Sequence, residues 1–228
     1  MKKILLVFIL FCAVTVNADP LWNKAVDIYG RHIDNHPDVY KAYILMGSGG
    51  SNSSEIWEEY KSEGGEYFRK VLKVKKNGVD VPIPAEAQDK WFPVTNSKKD
   101  NKGEYKGLGE IFMARSQNVV AYNKTGKSKI IYGISCAEYN FTFKKNRNGK
   151  IETVTGKAYL DMATGAPYEI RRHNTSQYMK GSPDSYVQFS YDGNYLYPRY
   201  FILIMNINFM GQQSNMTTEV KMDYKALE

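Results

Sequence analysis

The stretch GKAYLDMATGAPYEIRRHN, residues 156–174, decides the fold class. Tyr159-Leu160 reads as the end of one strand and Tyr168-Glu169-Ile170-Arg171 as the next. Between them, Asp161 and Thr164 ahead of Gly165 are the residue types that fold a tight hairpin loop. Gly165 takes the positive-φ position there.

Working outward from this hairpin, the C-terminal half is a run of strands. Tyr139, Phe141 and Phe143 alternate with Asn140, Thr142 and Lys144, and residues 151–160 lead into the hairpin. Residues 186–191 end at Asp192-Gly193. From residue 201 every odd position is apolar, in the series Phe201, Leu203, Met205, Ile207 and Phe209. The last strand sets Met216, Thr218, Val220, Met222 and Tyr224 against Thr217, Glu219, Lys221, Asp223 and Lys225. A period of two with one apolar side marks an antiparallel sheet with one buried face. A turn near Gly211 then puts the Phe201–Phe209 and Val220–Tyr224 series on one side of the sheet.

The N-terminal half adds a helix and further strands. Leu21, Ala25 and Ile28 share one side of a helix over residues 20–33, with Asp19 as N-cap and Pro20 at the first helical position. Tyr40, Ala42, Ile44 and Met46 alternate through a strand, and residues 56–61 and 66–75 pair around Gly64-Gly65. Residues 82–105 carry three prolines, a short helix-like segment and Trp91-Phe92. They read as one long insertion over an end of the sheet.

Residues 1–18 have the layout of a secretory signal peptide. Lys2-Lys3 precede an apolar run, and Val16-Asn17-Ala18 offers small residues for cleavage after Ala18. About 11 apolar residues fall short of the roughly 20 that span a bilayer. Cys12 raises a lipoprotein alternative, against which the bulky Phe11 precedes it. Removing Lys2 and Lys3 lowers the formal charge from +7 to +5. The basic clusters Lys73-Lys75-Lys76, Lys98-Lys99-Lys102 and Lys144-Lys145-Arg147 read as solvated loops spread along the chain, which with export argues against nucleic acid. Cleavage leaves Cys136 alone, so no intramolecular disulfide forms, and its strand setting reads as structural. A single domain over residues 19–228, monomeric and periplasmic, is expected.

No set of residues for catalysis is complete. His32 and His36 are four apart, but Pro37 disfavours helix at His36 and a zinc site needs a third ligand. His173 follows Arg171-Arg172 at a strand end, and no G-x-S-x-G elbow occurs. Gly47-Ser48-Gly49-Gly50-Ser51 lacks the ending of a phosphate-binding loop. Glu58 and Glu59 are strand neighbours on opposite faces. The chain therefore reads as a non-enzyme without metal or cofactor. What stands out is apolar material on the last strands. A helix of about 14 residues covers only about 21 Å of a sheet. A broad curved sheet would leave part of a Met-rich face open to flexible hydrophobic ligands.

The order of a Cys-containing strand (YGISCAEYNFTF), a charged turn (KKNRNGK), the hairpin G-K-A-Y-L-D-x-x-T-G-x-P-x-E-I, YVQFSYDGNYLYPRYF, and a final strand ending in DYK resembles the C-terminal half of the LolA/LolB-like superfamily of bacterial envelope proteins. The resemblance implies a mainly β (α+β) fold. It would be a curved, antiparallel, unclosed β-barrel with an N-terminal helix, and with the 82–105 insertion over its concave face. It also implies a carrier that binds lipid or lipoprotein acyl chains, with an envelope membrane protein complex as a further partner. The residues expected to line such a cleft are Phe141, Leu160, Phe201, Leu203, Met205, Ile207, Phe209, Val220, Met222 and Tyr224. The alternative is an envelope structural or interaction module whose apolar face is only its own core. An unrecognised hydrolase ranks last.

Overall fold

The computed structural model describes residues 19–33, 39–48, 52–64, 66–94, 108–147, 150–175, 184–209 and 212–223. One helix, α1 (Pro20–His32), precedes β1 (Val39–Ser48), β2 (Asn52–Glu63), β3 (Glu66–Lys76), β4 (Val79–Val81) and β5 (Phe92–Pro93). Two short 3-10 turns, Glu110–Phe112 and Ala114–Ser116, lead into β6 (Val120–Ile131), β7 (Ile134–Arg147) and β8 (Lys150–Asp161). The chain continues through β9 (Pro167–Thr175), β10 (Asp184–Tyr191), β11 (Leu196–Phe209) and β12 (Gln212–Asp223). The signal peptide read in residues 1–18 lies outside the described residues, as do His36 and Lys98–Lys99–Lys102. No described helix is long and apolar enough to cross a membrane.

The strands form one antiparallel sheet in the order β4-β3-β2-β1-β12-β11-β10-β9-β8-β7-β6, with β5 paired to β3 off this path. The end strands do not pair with each other, so the curved sheet is an unclosed barrel with an N-terminal helix. Pairing of β1 with β12 joins the two halves of the chain. Of the insertion, residues 82–94 are described. Phe92 and Pro93 extend the sheet edge beside Arg69 and Phe68, and the Trp91 ring lies 5.0 Å from both Lys61 and Lys70. Residues 95–105 are outside the description.

Some positions read as loops are in strands. Lys73, Lys75 and Lys76 belong to β3, and Lys144, Lys145 and Arg147 to β7. Lys73 and Lys75 alternate along β3, while Lys76 and the run from Lys144 to Arg147 fall at strand ends, so the lysine-rich composition imitated a loop.

The helix is capped and seated by the residues its sequence supplies. Asp19 accepts from the backbone N–H of Leu21 at 2.9 Å and of Trp22 at 3.3 Å, and from the Tyr139 hydroxyl at 2.8 Å. Trp22 stacks on Tyr122 with centroids 4.1 Å apart, packs against Phe112, and donates Nε1–H to Gln117. Gln117 in turn donates to the carbonyls of Ile111 and Met113, which ties the 3-10 segment to the helix. The Tyr29 hydroxyl accepts from the Gly109 N–H at 2.8 Å.

The hairpin of residues 156–174 is the seat of that helix. Asp161 accepts from the Ala163 N–H at 2.9 Å and the Thr164 hydroxyl at 2.5 Å, which closes the loop. Gly165 sits at φ +87°, and a Cβ there would come within 2.5 Å of the Lys24 Cβ. At Gly156 a Cβ would strike the Arg171 carbonyl oxygen at 2.0 Å and the Phe141 ring at 2.8 Å. The absence of both side chains lets α1 and β9 close on β8.

Candidate functional site

Directly opposed residues of paired strands share a face of the sheet. One such row crosses nine strands without a break. It starts with Tyr139 on β7, opposite Ala158 on β8, then Ile170 on β9 and Val187 on β10. It continues through Phe201 on β11, Val220 on β12, Ile44 on β1, Ile56 on β2 and Val74 on β3. Every member is apolar or aromatic.

Burial divides this row in two. Tyr139, Ala158, Ile170 and Val187 are fully sealed under α1 and the 3-10 segment. Phe201, Val220, Ile44, Ile56 and Val74 are half-buried. The hydrophobic core shows the same border. Among the described residues its members come from α1, the 3-10 segment, β6 to β10 and the start of β11, with Phe201 packed against its rim. The open half spans about 19 Å, at about 4.8 Å per strand.

The flanking positions extend this open surface. Leu203 and Met205 follow Phe201 on the same side, with Met205 directly opposite Met216. Met222 faces Ala42, and Met46, 40% exposed, faces Thr218. The far boundary is polar. Glu58, opposite Ala42, is almost fully buried, accepts from the Tyr60 hydroxyl at 2.5 Å and pairs with Arg69 at 3.3 Å. The near boundary holds Arg172, which donates Nε–H to Ser185 at 2.9 Å. Burial there draws the guanidinium below its ordinary pKa, against the pull of Tyr29 and Glu110.

The expected cleft residues thus separate. Phe141 and Leu160 lie inside the closed core, 3% and 0% exposed, where the helix covers them. Phe201, Leu203, Met205, Val220 and Met222 share the open face. Ile207 and Phe209 are on β11 with side chains outside the described ones, and Tyr224 is outside the described residues. Ile44, Ile56 and Val74 were not in the expected set. The alternation of β1 carried the signal for Ile44, but its pairing with β12 joins residues about 175 apart in sequence, which periodicity does not reveal.

The opposite face is built from charge. Glu169, fully buried by its neighbours, accepts from Lys129 at 2.9 Å, Arg171 at 2.7 Å, Tyr186 at 3.0 Å and Gln188 at 3.1 Å. Burial pushes its carboxyl upward, but the bonds from Lys129, Gln188, Arg171 and Tyr186 outweigh this and hold it below the usual carboxylate range. Glu138 behaves alike: burial opposes, and the bonds from Lys157, Tyr159 and Thr125 prevail. Both charges are thereby paired and hydrogen-bonded.

The two described histidines do not converge. His32 meets the Asn194 carbonyl and His173 pairs with Asp184. No three His, Cys, Asp or Glu side chains gather as a metal site among the described residues. Cys136 is buried, and burial with the nearby carboxylates of Asp161 and Glu169 pushes its thiol up to about 12. A thiol so protonated is a poor nucleophile.

Neither a protein-family model nor a curated protein sequence matches the chain. Among solved structures it is similar to a LolA superfamily protein from Nitrosomonas europaea, at 11% identity and a TM-score of 0.34, over 91% of this chain and 93% of that one. It is also similar to a putative outer membrane lipoprotein-sorting protein domain from Vibrio parahaemolyticus, at 10% identity and a TM-score of 0.36, with the same coverage. A lipovitellin structure matches 83% of this chain and 25% of its own length, at 10% identity and a TM-score of 0.25.

Proposed function

We propose that the protein is a non-enzymatic carrier of the bacterial periplasm that binds an acyl chain of a lipid or lipoprotein along its open apolar face. One observation carries this reading: the row that forms the core under the helix runs on, still apolar, through Phe201, Val220, Ile44 and Ile56, where it is half-buried.

An acyl chain suits such a surface because it needs length and apolarity rather than directed bonds. Each methylene removed from water contributes about 0.8 kcal/mol. About six methylenes would therefore supply about 5 kcal/mol before the cost of ordering is subtracted. Methionines at 205, 216 and 222 add side chains that repack around chains of different length. The polar ends at Glu58–Arg69 and Arg172–Ser185 bound the apolar stretch and set its reach.

Native mass spectrometry of the protein purified from a bacterial envelope tests this. The expected result is a population carrying one lipid-sized adduct that organic extraction removes. Protein recovered free of lipid from an envelope preparation, and taking up none when lipid is added back, would contradict it.

A further inference from the structure

The edge of the sheet beside the helix carries a second feature, which does not rest on the acyl-chain reading. β6 ends the strand order, and among the described residues no strand pairs with its outer side. The Lys144 N–H donates to the Val119 carbonyl at 3.2 Å, which fixes the phase of the β6–β7 ladder. In an antiparallel pair, alternate residues turn their backbone groups toward the partner strand. Val119 and Ala121 therefore face β7, and Val120 and Tyr122 turn their N–H and C=O groups away from the sheet.

The same two residues wall a groove. Val120, Tyr122 and Lys124 stand opposite Phe143, Phe141 and Tyr139, so their side chains share the buried face of the sheet. Val120 and Tyr122 line a groove of about 860 Å³ together with Val26 and Gly30 of α1. Tyr122 is fixed there by its stack on Trp22. The charged residues of the lining, Asp27 and Arg31, pair with each other. An extended chain laid along β6 would bond to the outward backbone groups and send every second side chain into the groove. Backbone bonds then supply affinity, and the groove selects side chains.

Charge selects the occupant. Lys124 and Lys127 are exposed and make no ion pair among the described residues. A second copy pairing through its own β6 would bring these lysines against each other, and like charges directly opposed destabilise a strand pair. Residues 95–105 of the chain itself are a poor match too, with Lys98, Lys99 and Lys102 against Asp100 and Glu104. We propose that β6 receives an extended, acidic segment of another protein, which continues the antiparallel sheet. Its apolar side chains enter the groove at alternate positions, and a carboxylate meets Lys124.

Fluorescence anisotropy with a labelled peptide, Glu-Glu-Thr-Val-Thr-Val-Thr, tests the assignment. Saturable binding is expected, at least about tenfold weaker when lysines replace the glutamates. N-methylation of the two valines, whose N–H groups would face β6, should abolish binding, and N-methylation of the threonines should not. Val120→Pro removes an outward N–H and no bond to β7, and should weaken the peptide by about tenfold or more. Nothing lies within 4 Å of a Cβ added at Gly30, so Gly30→Phe should fill the groove and weaken the peptide as much at unchanged thermal melting. Gly30→Phe keeps the test open where Val120→Pro fails to fold. No saturable binding, equal binding of the lysine peptide, tolerance of the methylated valines, or indifference to Gly30→Phe would each overturn the proposal. A dimer in sedimentation that Val120→Pro dissociates would assign the edge to a second copy and overturn it too.

Discussion

Val187 and Phe201 face each other directly across β10 and β11, yet Val187 is sealed from solvent and Phe201 is half-buried. The edge of the hydrophobic core runs between these two side chains. On one side lies the helix, on the other the open continuation of the same row.

Truncations on either side of that edge should differ in cost. Ile170 and Ile44 belong to the same row, Ile170 within the core and Ile44 beyond it. Ile170→Ala should lose about 2–5 kcal/mol, as large-to-small core changes do, and Ile44→Ala less than about 1 kcal/mol. Urea unfolding of both variants checks this. Equal losses would mean that the open half is core.

The hairpin turn should prove essential to seating the helix. Gly165 is at φ +87° and lies against Lys24. Gly165→Ala combines backbone strain with a clash, and should cost about 1–3 kcal/mol. The near-ultraviolet signal of the core aromatics should weaken with it. A melting temperature equal to wild type would show that the approach of α1 is not tight.

Acid should unfasten the charged face. Glu138 and Glu169 are held below their ordinary pKa, so the folded state binds fewer protons than the unfolded one as pH falls. Their contribution is present above the unfolded value of about 4.3 and is lost as pH drops through the lower folded values. Stability should therefore stay level down to about pH 5 and fall below about pH 4. In Glu138→Gln/Glu169→Gln the fall should be shallower, though from a lower start. An identical acid profile in that variant would assign the effect elsewhere.

Much of this architecture was legible in local chemistry. Asp19 and Pro20 mark the helix start, Asp161 to Gly165 the hairpin turn, and the odd positions of β11 its apolar side. What was not legible has definite causes. Ile111 and Phe112 lie in 3-10 turns too short to show a period, although they are central to the core. β6 carries Lys124, Gly126, Lys127 and Lys129 and is an edge strand, so its sequence looks like a loop. Phe141 and Leu160 have the same apolar alternation as Phe201. Whether a helix or a ligand covers such a residue depends on how far α1 reaches across the sheet.

Cys136 should be inert in the folded protein. Its thiol is buried and pushed up to about 12, so at pH 8 the thiolate is scarce. Peptide mapping after a brief exposure to a disulfide reagent should find Cys136 unmodified in buffer and fully labelled in denaturant. Rapid labelling under native conditions would indicate that the sheet opens at β7.

The most direct test of the acyl-chain reading is displacement of a fluorescent fatty-acid probe from the wild type and from Val220→Trp. Val220 lies within the open half of the row, between Phe201 and Ile44. An indole there fills the space an acyl chain needs without entering the core. The predicted result is saturable probe binding by the wild type, and binding lost in Val220→Trp at a melting temperature within a few degrees of wild type. A wild type that binds no probe, or a variant that binds it equally well, would contradict the carrier function.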